Sequence, residues 1–260
     1  GHTLVVFLVV AILCVAYFAI PSLSAITYSL SPKVANVAET VKEKNTTQAV
    51  TTPETPRINI THVKTPDVVK GVYMTSWVAS APSLRSKIVK IIDDTEVNSV
   101  VIDIKDATGK IAFLVNDPEL VKIDSAEKRI QDIDAFVADL HSKGIYVIGR
   151  VAVFQDPHYT KLFPDQAVKR ASDGAVWKDR KGLSFIDAGS KKAWDYVIKI
   201  AKESYAHGFD EINFDYIRFP SDGDMTNIAY TFSNGRTKAE VVRDFFEYVH
   251  TQLKDTGIVT

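Results

Sequence analysis

From Val68 onward the hydrophobic positions recur with two alternating periods, one of strands and one of helices. Gly71 to Trp77 (GVYMTSW) predicts a strand, and Ser83 to Glu96 a helix with Leu84, Ile88, Ile91 and Ile92 at helical spacing. Asn98 to Asp106 (NSVVIDIKD) is a β-branched second strand. Asp132 to Lys143 predicts a helix with Ile133, Phe136, Val137 and Leu140 on one face, ended by Gly144, and Ile145 to Phe154 a third strand. Lys191 to His207 predicts a helix capped by Ser190 and closed by Gly208. Phe209 to Phe219 (FDEINFDYIRF) is a fourth strand, and Thr237 to Lys254 a helix opened by the capping box Thr237-x-x-Glu240. Gly257 to Thr260 begins a fifth strand.

Repeated strand–helix units predict a parallel sheet of the α/β class. An open doubly wound sheet meets helices on both faces, so its strands read almost uniformly apolar, and a dinucleotide-binding one carries a glycine fingerprint after its first strand. No such fingerprint follows Trp77, and the strands alternate. In the second strand Val100, Ile102 and Ile104 alternate with Val101, Asp103 and Lys105. In the fourth, Ile212 and Phe214 alternate with Glu211, Asn213 and Asp215, and the third alternates in the same way around Arg150. A (β/α)8 TIM barrel explains this, because one strand face packs on helices and the other points into the lumen. Asp103, Lys105, Arg150, Asn213 and Asp215 are thereby assigned to the lumen.

The first 67 residues read differently. Leu4 to Ile20 is an unbroken apolar run without charge, near the lower length that spans a bilayer. It fits an uncleaved membrane anchor or the apolar part of a cleavable signal peptide, and either places the rest outside the cytoplasm. The domain boundaries expected are therefore an anchor or signal segment over 1–20, a disordered linker over 21–67 and the barrel over 68–260. The linker is rich in Thr, Val, Pro, Lys and Glu, without Trp or Phe. From Val68 to Thr260 there are 193 residues, holding about four βα units and the stub of a fifth. A barrel of this kind needs about 250, so the expectation is an N-terminal half barrel that alone would be unstable and inactive. A net charge of −1 gives no basic excess for a nucleic-acid partner, and one cysteine rules out a disulfide framework within the chain. No pair of histidines has ligand spacing, so neither a metal nor any other cofactor is implied.

Active sites of such barrels lie at the C-terminal strand ends. There the chain gathers Thr75 and Trp77, then Asp103, Lys105 and Asp106, then Arg150 and Asp156, and finally Asp215, Tyr216 and Arg218. Carboxylates, cations and aromatics together suit sugar chemistry, since glycoside cleavage uses a pair of carboxyl groups. Each has a plain structural reading too. Asp103 and Lys105 form a buried ion pair as readily as a site, Arg150 can pair with Asp103 or Asp215, Asp156-Pro157 is a turn, and Trp77 is core or platform. Asp215 is the strongest candidate, because a carboxylate deep in a strand between Phe214 and Tyr216 is costly to desolvate.

The stretch Gly208-Phe-Asp-Glu-Ile-Asn-Phe-Asp-Tyr-Ile-Arg-Phe-Pro-Ser221 resembles the signature of a bacterial glycoside hydrolase family whose barrels are distantly similar to the α-amylase-like enzymes. Gly71-Val-Tyr73, the second-strand motif Asn98–Asp106, Ile145–Arg150, Phe154-Gln-Asp-Pro157, Asp173–Arg180 and Trp194-Asp-Tyr196 carry the same resemblance. Gly149 and Asn213 stand where the family usually has Ala and Gln, and Phe185-Ile-Asp-Ala188 keeps Asp187 but lacks the family's proline. The resemblance implies a catalytic nucleophile at Asp215 and a general acid after the fifth strand. It further implies substrate-site or supporting roles for Asp103, Lys105, Asp106, Arg150, Lys178, Asp187, Tyr216 and Arg218, beside Trp77. The expected function is a membrane-tethered extracytoplasmic glycoside hydrolase acting on a polysaccharide or oligosaccharide. The alternatives are a non-catalytic glycan-binding or cell-envelope module and, more remotely, a Schiff-base lyase using Lys105.

Overall fold

The computed structural model of the protein describes residues 60–260; the apolar run 4–20 and the linker up to residue 59 lie outside them. Among the described residues no helix is long and apolar enough to cross a membrane. Four strands, β1 (Gly71–Met74), β2 (Ser99–Lys105), β3 (Tyr146–Ala152) and β4 (Glu211–Asp215), form one sheet in the order β1-β2-β3-β4. Every pairing is parallel. The strands alternate with helices α1 (Ser76–Ser80), α2 (Pro82–Asp94), α3 (Pro118–Lys122), α4 (Ile133–Ser142), α5 (Pro157–Leu162), α6 (Lys191–Ala206) and α7 (Lys238–Leu253). Val259 then pairs parallel with Glu211, so the sheet continues past β4 as the periodicity predicts.

Local signals set the helix ends. The Ser190 hydroxyl accepts from the Ala193 N–H at 3.2 Å and opens α6. Gly208 takes φ +97° just beyond it, a left-handed value that favours glycine. The reciprocal Thr237–Glu240 box opens α7. All four strands are shorter than the periodicity predicts, the first and the fourth for a definite local reason. The Thr75 side chain accepts from Val78 N–H, so β1 gives way to α1 and Trp77 sits on a helix, not in the first strand. Tyr216 has φ +55°, which ends β4 at Asp215 and leaves Tyr216–Phe219 in a loop.

The apolar strand positions form one core with the helices. Val100, Ile102, Ile104, Val147 and Ile212 are fully buried and cluster with Phe136, Val137 and Leu140 of α4, Val197 and Ile200 of α6, and Val241 and Phe245 of α7. Gly149, where the resembled family has Ala, is explained by this packing. A Cβ there would lie 2.1 Å from Ile104 Cδ1 and 2.9 Å from the Phe209 ring. Gly149→Ala is therefore expected to destabilise the fold by roughly 1–3 kcal/mol through overpacking. A urea melt checks this, and an unchanged midpoint would mean that Ile104 finds another rotamer without strain.

Residues 61–66 carry no helix or strand, in keeping with their linker-like composition, yet they are bonded to the N-terminal strand ends. Val63 N–H donates to Asp210 Oδ1 at 2.7 Å and Thr65 Oγ1 meets the Tyr146 hydroxyl at 2.9 Å. The last residues assigned to the linker thus belong to the base of the globular unit.

Candidate active site

Parallel pairing places Asp103 beside Arg150 and Arg150 beside Asn213, with Asp215 two residues further along β4. The Arg150 guanidinium reaches both carboxylates. Its Nη1 donates to Asp103 Oδ1 at 2.8 Å, while Nε donates to Asp215 Oδ2 at 2.8 Å and Nη2 lies 2.7 Å from the same oxygen in an ion pair. The Tyr73 hydroxyl, from β1, donates to the second Asp103 oxygen at 2.6 Å. The rings of Tyr73 and Tyr216 lie 5.9 and 5.6 Å from the guanidinium carbon. One connected group thus draws a side chain from each of the four strands. Of the residues expected in the lumen it joins Asp103, Arg150 and Asp215; Asn213 is exposed beside them.

Burial alone would raise the Asp215 pKa, but the Tyr216 N–H at 2.6 Å, the Arg150 hydrogen bond and the charges of Arg150 and Arg218 outweigh it and hold the carboxyl below its ordinary value. A carboxylate held in this way is ionised at neutral pH, a state suited to a base or nucleophile and not to a proton donor. Burial would lower Arg150, and its hydrogen bonds to Asp103 and Asp215 raise it instead. Burial, the hydrogen bond to Asp103 and that residue's charge push the Tyr73 phenol up to about 12, which keeps it a donor. The left-handed backbone at Tyr216 aims its N–H at Asp215 Oδ1 and leaves the Asp215 side chain half-buried at the strand end.

The other expected residues divide. Asp106 accepts from Arg129 Nη1 at 2.7 Å and from the backbone and side chain of Thr108, and its carboxyl is held below the ordinary range by these contacts against the opposing effect of burial. Trp77 lies over Arg129, 4.2 Å from guanidinium carbon to ring centroid, on the same rim. Arg218 is exposed, with its guanidinium carbon 5.0 Å from the Tyr216 ring centroid. Lys178 is exposed on an irregular hairpin, bridged to Ser184, and contacts none of the four-strand group. Lys105 departs from the lumen expectation, and Asp187 from the expected place beside the substrate. The β2–β3 register slips between Asp103 and Lys105, so Lys105 stands opposite Val151 and its Nζ meets Asp156 at 2.8 Å with both side chains fully buried. The buried pairs are thus Lys105–Asp156 and Asp103–Arg150, not Asp103–Lys105. Asp187 is fully buried and accepts from the backbone of Gly189, Phe232 and Ser233 and from the Ser233 hydroxyl, which ties the loop before α6 to the loop before α7. Its oxygens are consumed by these bonds.

Two members of the site escaped the sequence reading. Tyr73 lies in the quoted Gly71-Val-Tyr73 motif, and its place two residues before Thr75 on the same strand parity was the available signal. Arg129 sits in an irregular segment with no local pattern to mark it. Among the described residues no group of three or more His, Cys, Asp or Glu side chains could hold a metal ion.

A family model described as a putative glycosyl hydrolase domain matches residues 71–260. The crystal structure of a hypothetical protein from Ruminiclostridium thermocellum is similar, with a TM-score of 0.66 and 34% identity over 72% of this chain and 94% of that one. A GH31 α-xylosidase from a soil metagenome, solved with xylose, has a TM-score of 0.51 at 14% identity over 73% of this chain and 28% of its own, a likeness of fold alone. No curated protein matches.

Proposed function

The chain belongs to this glycosyl hydrolase domain family, and from that premise we propose that it cleaves glycosidic bonds of a polysaccharide with Asp215 as the attacking carboxylate. The observation that carries this reading is the Arg150–Asp215 contact at the C-terminal end of the fourth strand, where a carboxylate is kept ionised and half-open. In the proposed step an Asp215 oxygen bonds to the anomeric carbon as the bond to the leaving oxygen breaks. The proton that the leaving oxygen needs comes from an acid after the fifth strand, as in the α-amylase-like barrels that the sequence resembles. Tyr73 holds Asp103, Asp103 holds Arg150, and Arg150 holds Asp215; these are positioning roles. The apolar run at 4–20 supports a location outside the cytoplasm for this proposed activity, tethered to the membrane or secreted.

The full-length protein and Asp215→Asn, assayed on a panel of glycans, test the reading. The variant is expected to lose on the order of 10³-fold or more in kcat with KM little changed. Equal turnover in both proteins removes Asp215 from the mechanism. Binding without turnover in the unmodified protein favours a glycan-binding module instead.

A further inference from the structure

Trp77 is 61% exposed, an unusual state for so large an apolar ring, and it is not loose. One indole face rests on Arg129 at 4.2 Å. The Arg129 side chain is only 4% exposed and is fixed at three points. It donates to Ser76 Oγ at 2.5 Å, to Asp106 Oδ2 at 2.7 Å and, through Nε, to Glu127 Oε1 at 2.7 Å. The ring is thus braced from below and open above. Its place in the fold is equally defined. Trp77 lies four residues beyond Tyr73, and Asp106 three residues beyond Asp103, so the brace sits just beyond the C-terminal ends of β1 and β2, the strands that supply Tyr73 and Asp103 to the site.

We propose that the open face of Trp77 is a stacking subsite for a pyranose ring of a glycan chain. This rests on the proposed glycan-cleaving role and adds a binding contact at the rim. A pyranose ring presents a face of C–H bonds that packs flat on an indole. A ring already immobilised by Arg129 loses little conformational freedom when the sugar docks.

The chain has three tryptophans, and Trp177 and Trp194 are 1% and 2% exposed, so solvent-accessible emission reports on Trp77 alone. The experiment is acrylamide quenching and emission of the full chain, with maltoheptaose, cellohexaose and laminarihexaose as probes. Trp77→Phe identifies the quenchable, red-shifted component by removing it. At least one probe is expected to shift that component to the blue and shield it. Trp77→Ala should weaken binding of the same probe about ten-fold by calorimetry, while Asp215→Asn binds it as the unmodified chain does. Three results overturn the subsite: a Trp77 already shielded without sugar, no emission change with any probe, or unchanged affinity in Trp77→Ala. Loss of turnover in Asp215→Asn alongside any of these leaves the catalytic reading standing, so the two fail separately.

Discussion

Lys105→Met is expected to destabilise the protein by about 3–5 kcal/mol, the usual consequence of removing one partner from a buried ion pair. Lys105 and Asp156 are both fully buried with Nζ and Oδ2 2.8 Å apart. The other Asp156 oxygen accepts the Tyr159 N–H at 2.7 Å and caps α5, so the carboxylate cannot turn away to another partner without unwinding that cap. Gly109 closes over the pair: a Cβ there would lie 2.2 Å from Asp156 Oδ1. With Lys105 gone, Asp156 is left charged, dry and unpaired on that side. For a unit of this size the loss corresponds to a fall in Tm on the order of 10 °C, read by circular dichroism at neutral pH. Lys105→Met combined with Asp156→Asn should recover much of it, because an amide keeps an oxygen for the Tyr159 N–H and carries no charge. A single variant within 1 kcal/mol of the unmodified protein would mean that water reaches Asp156. The same pair answers the lyase alternative, since an amine with its charge bonded to a buried carboxylate is held from acting as a nucleophile.

Arg150→Ala should carry the largest functional effect after Asp215 itself. The guanidinium spans Asp103 and Asp215, so its removal leaves two neighbouring carboxylates without a cation between them. Asp215 keeps the Tyr216 N–H but loses its main charged partner, and its pKa moves up. On the proposed mechanism, kcat falls about 10²–10³-fold, as when one preorganised donor is deleted from a charged site. The acid limb of the pH–rate profile shifts to higher pH. The stability contribution has the matching sign. A carboxyl whose folded pKa is depressed stabilises above its unfolded value, about 3.9, and loses that contribution as pH falls through the lower folded value. In Arg150→Ala the loss begins at higher pH, so acid unfolding moves up as well. Arg150→Lys keeps the charge, but a single ammonium cannot span both carboxylates as the fork does, and an intermediate rate is expected. An acid limb that stays in place in Arg150→Ala would show that Tyr216 N–H and Arg218 hold Asp215 without it.

Much of the fold was legible because it is encoded within a few residues. The Ser190 cap, the Thr237–Glu240 box and Gly208 each act on their own helix end, and the structure keeps all three. The apolar parity of β2, β3 and β4 identified the core face, with Val100, Ile102, Val147 and Ile212 buried as expected. The site was legible in type but not in partnership. Asp103, Arg150 and Asp215 were all candidates for one cluster, and that cluster exists. Strict alternation to the end of β2 predicts Lys105 on the same face as Asp103. A slip in the β2–β3 register breaks the alternation there, and such a slip has no signature in a run of β-branched residues. The apolar run alone extends β1 to Trp77, because the capping signal of Thr75 is weak beside it.

The sequence alone determined the order of the four strands and of the longer helices α2, α4, α6 and α7, the caps of α6 and α7, and the rows of polar residues along each strand; the short helices α1, α3 and α5 lay outside its periodicity. These follow from periodicity and capping, which act over one to four neighbouring residues. Only the tertiary structure decided which charges meet. Arg150 lies 47 residues from Asp103 and 65 from Asp215, and Lys105 lies 51 from Asp156. Ion-pair energy depends on distances of a few ångströms, and strand register sets those distances. A shift of one residue moves a side chain to the opposite face, which separates a charge placed beside Asp215 from one sealed against Asp156.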